Sequence, residues 1–333
     1  MRKFTRLCVL SLGLGVLPVM AQETPDPDED GGGFLENLIE DRLSSDGFQV
    51  QVRGFEGALS STARVAQIVI SDEEGAWLTV NDAVLDWNRS ALLRGRLEVE
   101  ELAAAEILLP RLPQGEEQAD VPQPEAQPFS LPELPVSIQI GQIDAERIEL
   151  GQTVLGEEAV LSLQGSARLA DGEGEVDIRA ERLDDEGVFQ VAGSFENGSR
   201  ELTIDVSLEE GPDGIVASLI DLPGRPALSV SVEGSGPLSD FDAEIDLDTD
   251  GEDRLSGTVS LDEVDGANRF TVDLGGDVTA LFAPTYRPFF GPNVQLQAEG
   301  ARFPDGAFRL DSLDLSAQSL LSLIHISEPT RPY

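Results

Sequence analysis

Apolar and polar residues alternate along most of this chain with the two-residue period that is typical of a β-strand with one buried face. The stretches ELTIDVSL and FDAEIDL are clear examples, with apolar positions at Leu202, Ile204, Val206, Leu208, Phe241, Ala243, Ile245 and Leu247. The positions between them hold threonine, aspartate, serine and glutamate. The pattern predicts an antiparallel sheet with one apolar face and one solvated face.

About eighteen such strands, most of five to nine residues, can be traced from Phe48 to Leu315, and they predict a mostly β protein. Strong helical periodicity occurs in one place, a short N-terminal helix whose apolar face is formed by Phe34, Leu35, Leu38, Ile39 and Leu43. A second, shorter helix is predicted at Gly214–Ile220. Because no helices separate the strands, a parallel α/β architecture is excluded.

The stretch from Ile70 to Asn88 predicts an acidic turn followed by two short strands of one hairpin. Its apolar positions change phase at Asn81 and Asp82, and they are Leu78, Val80, Ala83, Leu85 and Trp87. Such a change of phase keeps all five side chains on one apolar face.

Shifts in composition divide the chain into six segments. We predict a signal peptide or uncleaved anchor at 1–21, an acidic flexible spacer at 22–33, a helix plus β segment at 34–112, a linker or loop rich in proline and glutamate at 113–135, a second β segment at 136–321, and a non-native tail at 322–333. The first segment has a basic start, a short apolar run and Ala21 at the cleavage position.

Two architectures fit this pattern. One is a β-sandwich, in which two sheets bury their apolar faces against each other. The other is a single long curled antiparallel sheet, a β-taco, whose concave face holds an apolar ligand. Composition alone favours the sandwich. The residues of the apolar face are often small, however, as at Ala180, Ala243, Gly257 and Ala298, whereas a conventional core of this size would contain more large side chains.

The composition narrows the function. The net charge is −41, which would repel phosphate backbones and argues against a nucleic-acid partner. The single cysteine, Cys8, lies in the signal segment, and the single histidine, His325, lies in the tail. Catalytic sets that need histidine or cysteine are therefore excluded, and no cofactor is predicted.

One motif resembles a calcium-binding loop. Asp246, Asp248 and Asp250 are followed by Gly251, as in the first half of such a loop, but its twelfth position is Gly257 where a glutamate is needed. We therefore interpret the three aspartates as the solvated side of a hairpin. A carbohydrate-active or calcium-dependent β-helix enzyme remains an alternative class.

The segment from Phe34 to Pro113 resembles the N-terminal part of the TamB family, a subunit of the translocation and assembly module of Gram-negative bacteria. The resemblance rests on the pattern G-x-x-G-x-L, D-x-x-G-x-W-L, LDW, LLRGRLEVEEL and I-x-L-P-R-L-P, in that order. It continues through LPVSIQIGQIDAERIELG, LPGRPALSVSVEGSGPLSDFDAEIDLDTDG and PTYRPFFG, in the style of alphaproteobacterial members, and covers about residues 34–318.

The resemblance implies an AsmA-like, bridge-type protein without catalytic residues. Its β-taco would hold phospholipid acyl chains in the periplasm, next to the inner membrane, and would act in phospholipid transport and outer-membrane protein assembly. A TamA-like outer-membrane barrel would be the partner of the family's C-terminal part, which this chain lacks. The alternative function is a filled β-sandwich that acts as a structural or interaction module.

The alternation and the resemblance together give a candidate lining for a lipid groove. Its residues are Leu78, Val80, Leu85, Trp87, Leu97, Val99, Val136, Ile138, Ile140, Val176, Ile178, Leu202, Ile204, Val206, Phe241, Ile245 and Leu247. The densest aromatic cluster of the chain is a candidate rim or partner patch, and consists of Phe282, Tyr286, Phe289 and Phe290.

Overall fold

A computed structural model describes residues 48–57, 61–92, 94–113, 130–132, 134, 136–264, 266–303 and 306–325 of the chain. Within these residues the protein consists of sixteen strands joined by turns and very short helices. The predicted mostly β fold is therefore confirmed.

The strands β1 to β16 follow one another in the chain. Their bounds are Gln49–Glu56, Thr62–Asp72, Gly75–Trp87, Arg96–Leu109, Ser137–Leu150, Ala159–Ala170, Glu173–Arg182, Gly187–Glu196, Glu201–Glu210, Leu228–Pro237, Asp240–Thr249, Glu252–Val264, Ala267–Gly276, Val294–Arg302, Phe308–Ala317 and Leu320–His325. Four short α-helices, α1 to α4, span Arg89–Leu92, Gln152–Leu155, Ile215–Leu219 and Arg287–Phe290, and a 3₁₀-helix, η1, spans Val278–Leu281.

All sixteen strands form one sheet, in which each strand pairs with its neighbours in the sequence. The sheet is open, since β1 and β16 are its two outer strands and do not pair with each other. Every neighbouring pair is antiparallel except β4 and β5, which are parallel. A parallel pair needs a long return connection, and the connection between Leu109 and Ser137 spans the predicted linker.

Asp-Gly dipeptides make two of the tight hairpin turns. Asp171 and Gly172 join β6 to β7 with φ angles of 53° and 79°, and Asp250 and Gly251 join β11 to β12 with φ angles of 53° and 74°. Two successive residues with positive φ form the turn whose twist matches that of the paired strands. The aspartates of the calcium-like motif thus lie on β11 and its turn, as the hairpin interpretation predicted.

Three of the predicted strand boundaries are wrong. The stretch predicted as a hairpin around Asn81 and Asp82 is the single strand β3. The stretches RLEVEEL and AEILLP are likewise one strand, β4, and VSIQI and AERIEL are one strand, β5. In each case a local irregularity inside a continuous strand shifts the phase of the apolar positions, which mimics the effect of a turn.

The pairing register confirms that the phase change keeps one apolar face. Val80 pairs through Ile107 and Ile148 with Leu161, and Leu85 pairs through Leu102 and Ile143 with Gly165. Leu161 and Gly165 are four residues apart on β6, so their side-chain positions share a face. Val80 and Leu85 therefore share that face although they are five residues apart. Asp82 makes the change with a φ of 51°.

The remaining structural predictions concern a second helix and several segments that lie at or beyond the limits of the described residues. The helix predicted at Gly214–Ile220 is confirmed as α3, Ile215–Leu219. The predicted helix at 34–43 lies outside the described residues, as do the signal segment, the spacer and most of the linker. The backbone of Ser322–His325, in the predicted non-native tail, pairs with β15 as part of β16.

The opposite, polar face carries rows of carboxylates. Glu233 on β10 lies directly opposite Asp205 on β9 and Glu244 on β11, and all three side chains are exposed. Near the N-terminal strands the same face carries a ladder of hydrogen-bonded amides, in which Gln67 Nε2 donates to Asn81 Oδ1 at 3.0 Å and Asn81 Nδ2 donates to Glu106 Oε2 at 2.7 Å.

We expect Glu233→Gln to stabilise the protein by about 0.5 kcal/mol, because like charges directly opposite each other in a sheet repel. Urea unfolding at low and high salt measures this effect, and salt should raise the stability of the wild type more than that of the variant. Glu175→Gln is the matched control, since Glu175 faces Arg168 and its neutralisation removes an attraction. Equal effects of the two substitutions would contradict the repulsion.

Candidate functional site

The apolar face is organised in unbroken rows that run across the strands. One row crosses fourteen strands, β2 to β15, and every position in it is apolar or glycine: Ala63, Leu85, Leu102, Ile143, Gly165, Ile178, Val191, Val206, Val232, Ile245, Gly257, Leu274, Leu296 and Leu315. At about 4.8 Å between strands, such a row extends over roughly 60 Å along the sheet.

A second row lies beside the first on the same face. It is offset from the first by two residues in each strand, or by three in β4 and β5. It contains Trp87, Val99, Ile140, Ala167, Val176, Gly193, Ile204, Gly234, Ala243, Val259, Val272, Ala298 and Leu313. No charged side chain interrupts either row within these strands. The two rows define the apolar face as a continuous strip.

The predicted groove residues belong to this face. All of them except Val136 pair with residues of these rows or of the rows beside them on the same face. Val136 lies just before β5, outside the strand pairing. Trp87 is the last residue of β3 and the first member of the second row, and its backbone N–H donates to Ser61 O at 2.9 Å.

The candidate groove lining omitted many members of the same face that the sequence analysis did not assign to it. They include Val50, Val52, Ile68, Ile70, Ile107, Ile143, Ile148, Val191, Val230, Val232, Val259, Val272, Leu274 and Leu313. The alternation that found the others also marks these residues in the regular strands. In β4 and β5 the phase shifts conceal it.

The middle of the apolar face is only partly covered. Ile204, Val206 and Ile245 are half-buried, and Leu102, Val176 and Phe189 are exposed. Residues at the centre of a filled core would normally be inaccessible to solvent. The face therefore retains solvent-accessible apolar surface along its length.

Two of the longer connections between strands are partly helical, and both lie on the same side of the sheet, where the strands end. We call the connections at residues 211–227 and 277–293 the helical rim. Ala217 and Leu222 of the first connection form a buried cluster with Leu228, and this cluster packs against Leu208, Val230 and Leu247 of the apolar face. The carboxylate of the buried Glu210 fixes α3 by accepting hydrogen bonds from the N–H groups of Val216 at 3.0 Å and Ala217 at 2.7 Å.

The predicted aromatic patch lies on the second connection of the helical rim. Phe282 stacks on Phe290 with ring centroids 3.9 Å apart, and Phe289 meets Phe290 edge-on at 5.1 Å. The backbone of Ser319 donates to Phe289 O at 3.0 Å, which ties this connection to the turn after β15. The structure thus brings three of the four predicted rings together, while Tyr286 points to solvent.

Leu131 covers the opposite end of the apolar face. Asn197 holds it through two hydrogen bonds, one from Leu131 N to Asn197 Oδ1 at 2.8 Å and one from Asn197 Nδ2 to Leu131 O at 3.0 Å. A Cβ added to Gly174, on the apolar side of β7, would lie 2.8 Å from Leu131 Cδ1. The last part of the β4–β5 connection therefore lies over the apolar face at this end of the strands.

Charged side chains lie around the apolar face. Arg182 bridges to Asp184 at 3.1 Å and to Glu157 at 3.4 Å. Burial raises the pKa of Asp184, but the hydrogen bond from Arg182, hydrogen bonds to the backbone and the charge of Arg182 together hold that pKa below its ordinary value. The hydrogen bonds from Thr279 lower the pKa of Asp277 at the start of η1.

A further ion pair ties the end of β4 to the turn between β2 and β3. Arg111 donates to Asp72 and also to Gly75 O at 2.7 Å. The hydrogen bond to Asp72 raises the pKa of Arg111, and the pair holds the acidic turn against the residues that follow β4.

Among the described residues, no group of three or more His, Cys, Asp or Glu side chains is arranged to hold a metal ion. The described part of the chain also contains no helix with the length and apolar character needed to cross a membrane.

Comparison with known proteins finds no matching protein-family model, no matching curated protein and no matching solved structure.

Proposed function

We propose that this chain is the N-terminal part of a non-enzymatic, AsmA-like bridge protein that shelters phospholipid acyl chains on its apolar face. The observation that carries the proposal is the pair of unbroken apolar rows, whose central residues remain accessible to solvent. Exposed apolar surface of this extent is costly unless a ligand or partner covers it. A hydrocarbon chain needs only apolar contact along its length, which such rows provide.

The curled, β-taco form of the sheet is part of this proposal. Strands in a sheet twist relative to one another, and a long open sheet with one apolar face lowers its free energy by bending that face inward. Gly257 in β12 has a φ of 155°, and glycine inside a strand often marks a bulge or a tight bend, so this residue supports a local bend of the sheet.

The cellular setting rests on the resemblance to the TamB family. From this resemblance we infer a position in the periplasm next to the inner membrane, with roles in phospholipid transport to the outer membrane and in outer-membrane protein assembly. A TamA-like barrel would be the partner of the C-terminal part that members of this family have.

A photo-crosslinking experiment tests the groove. The purified protein is incubated with a phospholipid that carries a diazirine in its acyl chain, and labelled peptides are mapped by mass spectrometry after irradiation. We expect labels on residues of the two apolar rows and none on the carboxylate-bearing polar face. Solvent extraction of the protein as isolated should also release phospholipid.

Two outcomes would count against the proposal. Labels spread over both faces would indicate nonspecific adsorption. The absence of label, together with a protein that contains no extractable lipid, would favour the alternative of a filled sandwich that acts as a structural or interaction module.

A further inference from the structure

The helical rim exposes large apolar side chains in an otherwise acidic protein. Leu219 and Ile220 at the end of α3 are 55% and 57% exposed, and Tyr286 and Phe289 of the second connection are 60% and 40% exposed. The proposal of an acyl-chain groove does not use these four side chains, because none of them belongs to the two apolar rows.

The two connections form one surface. Leu281 of η1, in the second connection, packs against the buried cluster that includes Ala217 and Leu222 of the first connection. The exposed side chains of both connections therefore extend from a shared packed base. A rigid base limits the entropy lost when the exposed side chains bind a partner.

The backbone of these exposed residues is already hydrogen-bonded internally. Ile220 N donates to Val216 O at 3.1 Å, Tyr286 N donates to Ala283 O at 2.9 Å, and Phe289 N donates to Tyr286 O at 3.0 Å. The second connection also contains Pro284, Pro288 and Pro292, which have no N–H group. Satisfied backbone donors remove the main cost of leaving water for an apolar medium.

The local charge differs sharply from that of the whole chain. Residues 277–293 contain Asp277 and Arg287 as their only charged residues, whereas the chain as a whole carries a net charge of −41. The first connection, residues 211–227, contains Asp213, Asp221 and Arg225 as its only charged residues. The surface of the helical rim is therefore close to neutral. It suits a partner that offers apolar area and that does not have to be bound by positively charged side chains.

We propose that the helical rim binds the surface of a zwitterionic lipid bilayer. Leu219, Ile220, Tyr286 and Phe289 enter the boundary between headgroups and acyl chains, where aliphatic and aromatic side chains on an internally bonded backbone are stable. Anionic lipid opposes the contact, because the rest of the protein is strongly acidic. This contact is independent of whether the apolar rows hold acyl chains.

Flotation with phosphatidylcholine vesicles tests the contact. The full chain should float with the vesicles, and the fraction bound should fall when anionic phosphatidylglycerol is added at low salt. The double variants Leu219→Ser/Ile220→Ser and Tyr286→Ser/Phe289→Ser should each weaken binding by about tenfold, with melting temperatures close to that of the wild type.

Leu183→Ser and Phe308→Ser are the matched controls. These side chains are 52% and 67% exposed but lie outside the helical rim, so their replacement should leave flotation unchanged. A wild type that does not float, controls that reduce binding as strongly as the rim variants, or rim variants that instead abolish self-association would each overturn the proposal. Ile204→Asp separates this test from that of the groove, since it should leave flotation intact.

Discussion

Replacing Ile204 by aspartate should abolish phospholipid retention while the protein remains folded, whereas replacing Leu228 by aspartate should unfold it. Leu228 is 3% exposed and belongs to the buried cluster at the helical rim. A carboxylate there loses its hydration without a partner, which should cost more than about 4 kcal/mol. Ile204 is only half-buried, so a carboxylate at that position can reach water when no lipid is bound.

The expected loss of stability for Ile204→Asp is about 1 to 2 kcal/mol, the value of the apolar contact that is removed. The loss of function should be large, because Ile204 lies in the middle of an apolar row between Gly193 and Gly234. An acyl chain that follows the row would have to pass a charge. Thermal melting and recovery of the photo-crosslinkable phospholipid measure the two effects separately.

Asp205→Ile is the matched control on the polar face. It changes the next residue of the same strand, and its side chain points away from the proposed lipid, so retention should be unchanged. If Ile204→Asp unfolds the protein as completely as Leu228→Asp, the apolar face is a filled core and the sandwich alternative is favoured.

The faces of the sheet could be predicted because the relevant signal is local. In β9 and β11 the alternation of Leu202 to Leu208 and Phe241 to Leu247 assigns each side chain to a face without any knowledge of the neighbouring strands. The same reasoning placed Leu78 and Trp87 on one face, since it recognised the change of phase at Asn81 and Asp82.

The continuity of β3, β4 and β5 could not be predicted because it depends on pairing between strands. A phase shift inside one strand and a turn between two strands leave the same trace in a single sequence. Only the register distinguishes them, through the continuous ladder from Val80 to Leu161 on one side of the shift and from Leu85 to Gly165 on the other. The parallel pairing of β4 and β5 is also nonlocal, although the length of the connection between them permits it.

The segments that cover parts of the apolar face also could not be predicted, because their contacts with it are nonlocal in the sequence. Leu131 and the buried cluster at Ala217 reach the face from connections that carry no alternation of their own. The sequence predicted the helix at Gly214–Ile220 and the aromatic cluster near Tyr286. It could not show that the two connections of the helical rim pack against the same buried cluster. That arrangement follows from the order of sixteen strands in one sheet.

Gly257→Ala should destabilise the protein by about 3 kcal/mol, because the substitution combines backbone strain with a steric clash. Gly257 has a φ of 155° and lies on the apolar face between Ile245 and Leu274, where an added Cβ would lie 1.9 Å from Asp273 O. Gly251→Ala is the control, since Gly251 has a φ of 74° and no atom within 4 Å of an added Cβ, so it should cost about 1 kcal/mol. The difference between the two free energies of unfolding, measured in urea, therefore reports whether β12 keeps its positive-φ backbone at Gly257. A strand glycine of this kind marks a bend, which the proposed inward curl of the sheet requires at this point. Equal losses for the two variants would mean that β12 relaxes to ordinary extended backbone at Gly257, and the bend supporting the β-taco form would be absent there.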